Sequence, residues 1–185
     1  MLTKEVIERF DEMVARGFCK GVGSRETTVC VEAAICYALG LAHGDDPECV
    51  EPAVRSYKIK LNDSNWSSPE ARAKGLRDLG IAQIGSRGVV DGIEFSRIMT
   101  RKTIQFVIPG LFREVLGKYP DCLAAADRCE AEGTADAARA AADAAYAADA
   151  ADAGSDLDKY LLLSATLALE TLRELKSPGC EWLDK

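Results

Sequence analysis

The chain has 185 residues, of which 48% are hydrophobic and 29% are charged, and its formal net charge at pH 7 is −7. That length and apolar content suffice for one well-buried core, so we expect a single domain. The negative charge and a pI of about 4.9 argue against nonspecific binding to a nucleic-acid backbone, which requires clustered lysine and arginine.

The amino-terminal sequence predicts a helix over residues 3–16, because Val6, Ile7 and Phe10 begin an apolar face with three- and four-residue spacing. This segment is charged and amphipathic, unlike a signal peptide. No apolar run in the chain approaches the roughly 20 residues that a membrane span requires. We therefore expect a cytoplasmic protein that does not associate with a membrane.

A glycine-rich segment, GFCKGVGSRE at 17–26, precedes a second predicted helix at 27–39. Glycines with Lys20 and Arg25 before a helix resemble a phosphate-binding turn, but no clear strand precedes them and no Gly-Lys-Ser/Thr follows, which favours a connecting loop. The second helix is apolar on nearly all sides and is predicted to be central. A carboxylate there, Glu32, needs a partner, a raised pKa or a cavity.

The next segment combines an acidic loop with an ambiguous element. Residues 40–52 are predicted to form the loop, with a short helix beginning at Asp46 and Pro47. Residues 54–61 fit both the apolar face of a helix and the alternation of a strand. We favour a helix, because no nearby segment offers a strand partner of comparable strength.

A polar loop at 62–68 leads into a helix predicted over residues 68–85, where a serine cap is followed by proline and glutamate. Gly75 and Gly80 lie inside this helix, and each costs about 1 kcal/mol of helix stability relative to alanine. We therefore expect them to mark positions where another helix crosses closely.

Asp91 begins a capping-box spacing ahead of an apolar face, which predicts a long helix over residues 91–108. Pro109 and Gly110 should break or kink it, because proline lacks an amide proton and clashes with the preceding turn. Residues 111–119 are expected to continue as a further helical piece.

About half of the residues from 121 to 153 are alanine, which has the highest helix propensity. On a helical wheel of residues 134–153 the acidic side chains leave a face of methyl groups, which is typical of close helix packing. We expect this face to pack on the leucine-rich helix at 155–177 as an antiparallel hairpin. A helix of a second subunit, in a homo-oligomer, is the alternative partner.

These patterns together predict an all-α protein of about seven or eight helices in one domain, residues 1–185. Residues 1–119 would form the helical body and residues 120–177 the hairpin of the alanine-rich and leucine-rich helices. The tail at 178–185 is expected to dock back on the body through Trp182 and Leu183.

The seven cysteines form no Cys-x-x-Cys pair and the one histidine is His43, so we expect reduced thiols, no bound metal and no cofactor. Four cysteines lie among apolar neighbours on predicted helices and are expected to be buried: Cys30, Cys36, Cys122 and Cys129. An enzyme would have to use Glu32 as a buried base together with His43, which is one of three functional hypotheses.

The segment 55–66, RSYKIKLNDSNW, combines bases, amides and two aromatic residues. Such residues can bind an anionic small molecule, such as a nucleotide, through stacking and charge, which is a second hypothesis. A cationic helix that balances an acidic protein is the structural alternative. The candidate ligand-binding residues are Arg55, Tyr57, Lys58, Lys60, Asn62, Trp66 and Arg72.

The alternation of alanine with aspartate and tyrosine in ARAAADAAYAADAADA resembles the repeat of a family of small helical proteins predicted as immunity proteins of bacterial toxin systems. The strings VCVEAAICYALGL, KIKLNDSNWSS and SPGCEWL resemble uncharacterised bacterial and phage proteins that share this alanine-rich region. These resemblances imply a non-enzymatic binding protein that inhibits or sequesters a partner, as an immunity or phage anti-defence protein would. The acidic residues expected to contact a basic partner are Asp136, Asp143, Asp149 and Asp152.

Overall fold

A computed structural model describes residues 2–147 and 158–183, and every regular element in these ranges is helical. A π-helical turn, Thr103–Val107, joins two of the nine α-helices in these ranges without a break, which leaves eight continuous helical segments, and the predicted all-α class is confirmed. The helices are α1 (Lys4–Ala15), α2 (Val31–Ala38), α3 (Pro52–Asn62), α4 (Pro69–Ala82), α5 (Gly92–Lys102), α6 (Ile108–Val115), α7 (Pro120–Glu132), α8 (Ala135–Ala147) and α9 (Asp158–Glu174). None of the helices in the described part of the chain is long and apolar enough to cross a membrane.

Local capping signals place several helix starts as predicted. Thr3, Ser68 and Asp91 each accept a backbone N–H at the start of α1, α4 and α5 respectively. The ambiguous segment at 54–61 is helical and lies within α3, as favoured from the sequence.

Two predicted helix starts are wrong. Helix α2 begins at Val31 and not at residue 27, because backbone hydrogen bonds from Cys19 to Val29 and from Cys30 to Val22 hold the preceding residues extended against the glycine loop. The short helix expected at Asp46 and Pro47 is a single turn in which the Val50 amide bonds to the Pro47 carbonyl. Apolar residues in the first case and an Asp-Pro cap pattern in the second do not report the backbone hydrogen bonds that compete with a helix there.

Helix α2 lies at the centre of the main core, where all of its residues except Tyr37 are buried, as its apolar sequence predicted. Helices α1 and α4 pack against it, and α9 covers α4. A methyl group added at Gly80 of α4 would lie 2.6 Å from Phe10 of α1 and 3.3 Å from Val31 of α2, which confirms the predicted close crossing. The space beside Gly75 is filled by the Trp66 ring, not by another helix.

Pro109 does not end the helical path. Helix α5 widens into the π-helical turn at Thr103, and Pro109 occupies the first turn of α6. Proline in an α-helix removes one hydrogen bond and crowds the carbonyl four residues earlier. The wider π turn immediately before α6 is where the chain accommodates this conflict.

The methyl face of the alanine-rich helix is buried against a helix that precedes it. Ala137 and Ala141 of α8 belong to a second, smaller core with Cys122 and Cys129 of α7, and the Cys122 thiol donates to the Ala144 carbonyl. Helix α9 packs on α4 and α5 instead. The predicted hairpin of the alanine-rich and leucine-rich helices is therefore not confirmed, and its connection, residues 148–157, lies outside the described residues.

The carboxyl-terminal tail docks on the main core as predicted. Residues Pro178–Trp182 form a 3₁₀ turn, and the Ser177 hydroxyl donates to the Ala82 carbonyl at 2.6 Å. Trp182 and Leu183 pack partly buried against the same core. This docking brings the tail beside the C-terminal end of α4 and forms one wall of the cleft described below.

Candidate functional site

A cluster of three polar side chains lies inside the main core. Glu32 of α2, Lys58 of α3 and Gln83 at the end of α4 are each 0% exposed. Lys58 Nζ lies 3.3 Å from Glu32 Oε1, and Gln83 Nε2 donates to Glu32 Oε2 at 2.8 Å. The buried carboxylate noticed in the sequence thus has a partner on each of two neighbouring elements.

Burial opposes both charges of this cluster. It raises the pKa of Glu32, while the Lys58 charge and the Gln83 amide act in the opposite direction. Burial likewise lowers the pKa of Lys58, and the Glu32 charge raises it. Glu32 Oε1, Lys58 Nζ and Gln83 Oε1 have no aligned hydrogen bond within the described residues. The cluster is therefore held by the Glu32–Lys58 ion pair and the one Gln83–Glu32 hydrogen bond, and its polar atoms are only partly satisfied.

The cluster is closed to a substrate. The small cavity beside Glu32, also lined by Asp45 and Asn62, has a volume of about 20 Å³, which is room for about one water molecule. His43 lies at the surface, where its Nε2 is 3.0 Å from the Gly23 carbonyl. The structure therefore gives Glu32 and His43 no shared hydrogen bond and no common cavity.

Three of the predicted ligand-binding residues serve to join elements. Asn62 donates to the Cys19 carbonyl at 2.9 Å, and Arg72 donates to the Phe18 carbonyl at 2.8 Å, so both hold the segment that follows α1. The Trp66 indole donates to a carbonyl at the end of α3. All three side chains are buried, with exposed fractions of 8% or less.

Of the four remaining predicted ligand residues, two are bases in ion pairs and two line a surface cleft. Arg55 lies 3.6 Å from an Asp45 carboxylate oxygen and 3.3 Å from one of Asp46. Lys58 is buried with Glu32, as described above. Tyr57 and Lys60 line one surface cleft, so these two residues are brought together at a position that solvent can reach.

The glycine-rich segment forms a connecting loop. The Gly21 amide, which a phosphate would need as a donor, bonds to the Asp63 carboxylate at 3.0 Å. Lys20 donates to the Asn65 side chain. A methyl group at Gly23 would lie 2.2 Å from the Thr28 carbonyl, so glycine is required there for the chain to pack on itself.

The acidic residues of the alanine-rich helix are described only in part. Asp136 is exposed and pairs with Arg139 at 2.9 Å, and Asp143 is exposed. Asp149 and Asp152 lie outside the described residues. The described acidic side chains therefore face solvent and do not contribute to a cleft with the other candidates.

A largely apolar cleft lies between the docked tail, the end of α2 and the end of α4. This tail cleft has a volume of about 520 Å³, within the range of ligand pockets. Its lining residues are Leu2, Leu39, Leu41, Glu48, Cys49, Ile84, Gly85, Pro178, Glu181 and Trp182.

The tail cleft combines an apolar wall with negative charge. Glu48 and Glu181 are exposed, and neither carboxylate has an ion pair within the described residues. The lining includes no lysine and no arginine. Sequence reasoning found only the docking of Trp182, because the other walls come from elements far apart in the chain.

The described residues form neither a metal-binding cluster nor a disulfide. No group of three or more histidine, cysteine, aspartate or glutamate side chains in the described ranges is placed to hold a metal ion. All seven cysteines are free thiols, and Cys30, Cys36, Cys122 and Cys129 are buried as predicted. Burial raises the pKa of Cys30 to about 11, so this thiol is not activated.

The chain matches no protein-family model, no curated protein and no solved structure. The resemblance of the alanine-rich region to immunity proteins is therefore not tested by these comparisons.

Proposed function

We propose that the protein is a non-enzymatic binding protein whose tail cleft receives a segment of a protein partner. The segment would carry a large apolar side chain next to lysine or arginine. The observation that carries this proposal is the apolar cleft of about 520 Å³ whose lining includes Glu48 and Glu181, two carboxylates without an ion pair in the part of the chain that the structure describes. The charge of the cleft has the same sign as the net charge of the chain, −7.

The two parts of the cleft have different roles in this proposal. Burial of a large apolar side chain between Leu39, Ile84 and Trp182 supplies about 1.5 to 3 kcal/mol, which drives binding. The carboxylates attract a basic partner and disfavour an acidic one, which gives selectivity and a faster association. Tryptophan is also common among the residues that dominate binding energy at interfaces.

The buried cluster supports binding over catalysis. Glu32, the one strongly perturbed carboxylate on the central helix, is 0% exposed and is engaged by Lys58 and Gln83. A general base must come within hydrogen-bond reach of its substrate, and this arrangement seals Glu32 away from one. Inhibition or sequestration of a basic partner, as by an immunity or phage anti-defence protein, is the form of binding that we propose.

The proposal is tested by titrating the ¹⁵N-labelled protein with three capped hexapeptides. The first contains Lys-Leu-Phe-Lys between glycines, the second replaces both lysines by glutamate, and the third replaces leucine and phenylalanine by serine. The chain has two tryptophans, so the indole of Trp66 serves as an internal control for that of Trp182. We expect the first peptide alone to shift the Trp182 indole signal, while Trp66, which is buried elsewhere, does not move.

Binding of a basic partner at the alanine-rich helix is the competing location. The paired variants Glu48→Gln/Glu181→Gln and Asp136→Asn/Asp143→Asn each remove two negative charges, so they are matched. The proposal expects the first pair to weaken binding of the basic peptide and the second pair to leave it unchanged. An absent Trp182 shift, or the opposite order of the two variants, would overturn it.

A further inference from the structure

A second cleft lies between α3, α5 and the start of α8, and we infer that it binds a small anionic molecule with a flat aromatic body. This α3 cleft has a volume of about 530 Å³ and shares no lining residue with the tail cleft. Its residues used below are Ser56, Tyr57, Lys60, Phe95, Met99 and Thr100. The inference is independent of the proposed function, since it concerns a different site and a different class of ligand.

The floor of the α3 cleft is aromatic and rigid. The Tyr57 ring meets the Phe95 ring edge-on, with 6.0 Å between centroids and 81° between planes. The Tyr57 hydroxyl donates to the Ser164 carbonyl at 3.3 Å, which fixes the ring from its far end. Phe95 and Met99 are 1% and 3% exposed, so they support the Tyr57 ring from behind. The partly exposed Tyr57 ring is the surface on which a planar ring system can stack.

Lys60 provides the charge at this cleft. Of the three bases on α3, Arg55 is paired with Asp45 and Asp46, and Lys58 is buried against Glu32. The ammonium group of Lys60 is exposed and has no ion pair in the described part of the chain. It follows Tyr57 by three residues, so the two side chains lie on the same helix face. If the negative group of a ligand binds Lys60, the aromatic ring of that ligand would therefore lie over the Tyr57 ring.

The opposite wall supplies hydroxyl groups and a second base. Ser96 and Thr100 of α5 line the cleft and also border an adjoining depression that contains Arg101. Arg101 donates to the Gln105 side chain at 3.2 Å and has no carboxylate partner among the described residues. The cleft thus offers the Tyr57 ring, hydroxyl-bearing residues along one side and the Lys60 ammonium group, with Arg101 in the adjoining depression. A nucleoside phosphate has this chemistry, and so has a simpler aromatic acid.

The test is a calorimetric titration of the full chain with five probes. Adenosine and guanosine monophosphate and 2-naphthoate carry a ring and a negative charge, adenosine carries only the ring, and inorganic phosphate carries only the charge. We expect at least one of the ring-bearing anions to bind at least tenfold more tightly than adenosine and inorganic phosphate. Preference for the monophosphates over naphthoate would identify a nucleotide site, and the reverse order would identify an aromatic acid site.

Two charge-matched variants locate the site. Lys60→Gln should weaken binding of the anion by about tenfold or more, and Lys74→Gln, at an exposed and unpaired lysine of α4, should leave it unchanged. Tyr57→Leu should weaken binding of every ring-bearing probe. The inference is overturned if none of the anions binds, or if Lys60→Gln binds them as tightly as the original chain.

Discussion

The ammonium nitrogen of Lys58 lies 3.3 Å from a carboxylate oxygen of Glu32, and both side chains are completely buried. A buried ion pair of this kind contributes little net stability, because the loss of hydration offsets the attraction. Loss of one partner is different, since it leaves the other charge alone in the core. The pair therefore fixes the relative placement of α2 and α3, and its contribution to the net stability of the fold is small.

Lys58→Met should reduce the free energy of unfolding by about 3 to 5 kcal/mol, because Glu32 loses its counter-charge. The double variant Glu32→Gln/Lys58→Met should lose much less, since no unpaired charge is left behind. Urea unfolding measures both, and Lys60→Met, at an exposed position of the same helix, is the matched control. A Lys58→Met loss no larger than that of the control would show that the ion pair is unimportant.

The pH dependence of Lys58→Met should identify Glu32 as the responsible group. Burial raises the pKa of Glu32 above its ordinary value of 4.5, and removal of the Lys58 charge raises it further. The folded state then holds the proton more tightly than the unfolded state, so stability is greatest below 4.5 and falls as the pH rises through the folded-state pKa. The difference in unfolding free energy between Lys58→Met and the double variant should therefore shrink as the pH is lowered towards 4.5. A difference that does not change with pH would contradict the assignment to Glu32.

Gly80→Ala should destabilise the protein although alanine is the better helix former. The gain in helix propensity is about 1 kcal/mol, and overpacking of a core typically costs about 1 to 3 kcal/mol. The added methyl group would lie 2.6 Å from the fully buried Phe10 ring, so we expect the overpacking cost to prevail, with a net loss of up to about 2 kcal/mol. Thermal unfolding would be compared with Gly44→Ala, where no atom lies within 4 Å. Increased stability of Gly80→Ala would show that α1 and α4 do not meet in this way.

The thiols should divide into two classes of reactivity. Cys19, Cys49 and Cys180 are partly exposed and should react with a disulfide reagent in the native protein, whereas the other four are buried. Burial also raises the pKa of Cys36 to about 11, which leaves little thiolate at pH 8. We expect three thiols to react before unfolding and all seven in urea, with mass spectrometry to assign them. Rapid labelling of Cys36 in the native state would contradict the buried placement of α2.

Local signals predicted most of the helices, because caps and apolar spacing act within one turn. Ser68 and Asp91 show this, as their side chains bond to the backbone two or three residues ahead. The start of α2 could not be predicted in this way, because it depends on backbone hydrogen bonds that reach well beyond one helical turn. These bonds join residues up to ten positions apart and fold the glycine loop back on the segment before α2. The partner of α8 was also missed, because a methyl face indicates close packing without naming the helix that supplies it.

The candidate sites were predictable only in part, for a related reason. Glu32 stood out as a carboxylate on an apolar helix, but its partner Lys58 was grouped with surface bases of the same segment. Tyr57 and Lys60, two of the predicted ligand residues, line one cleft because they lie three residues apart on one helix. The tail cleft is built from Leu39, Ile84 and Trp182, and only the folded chain brings these together.

We propose above that Glu48 and Glu181 select a basic, apolar segment in the tail cleft. Fluorescence anisotropy would measure the affinity of each variant for the labelled Lys-Leu-Phe-Lys peptide and for its glutamate version. The test variant is Glu48→Lys/Glu181→Lys, and the control is Glu12→Lys/Glu70→Lys, which reverses two exposed carboxylates elsewhere. We predict that the first variant binds the basic peptide at least tenfold more weakly and now prefers the glutamate version, while the second keeps the original preference. Equal affinity of both variants for the basic peptide would contradict the claim.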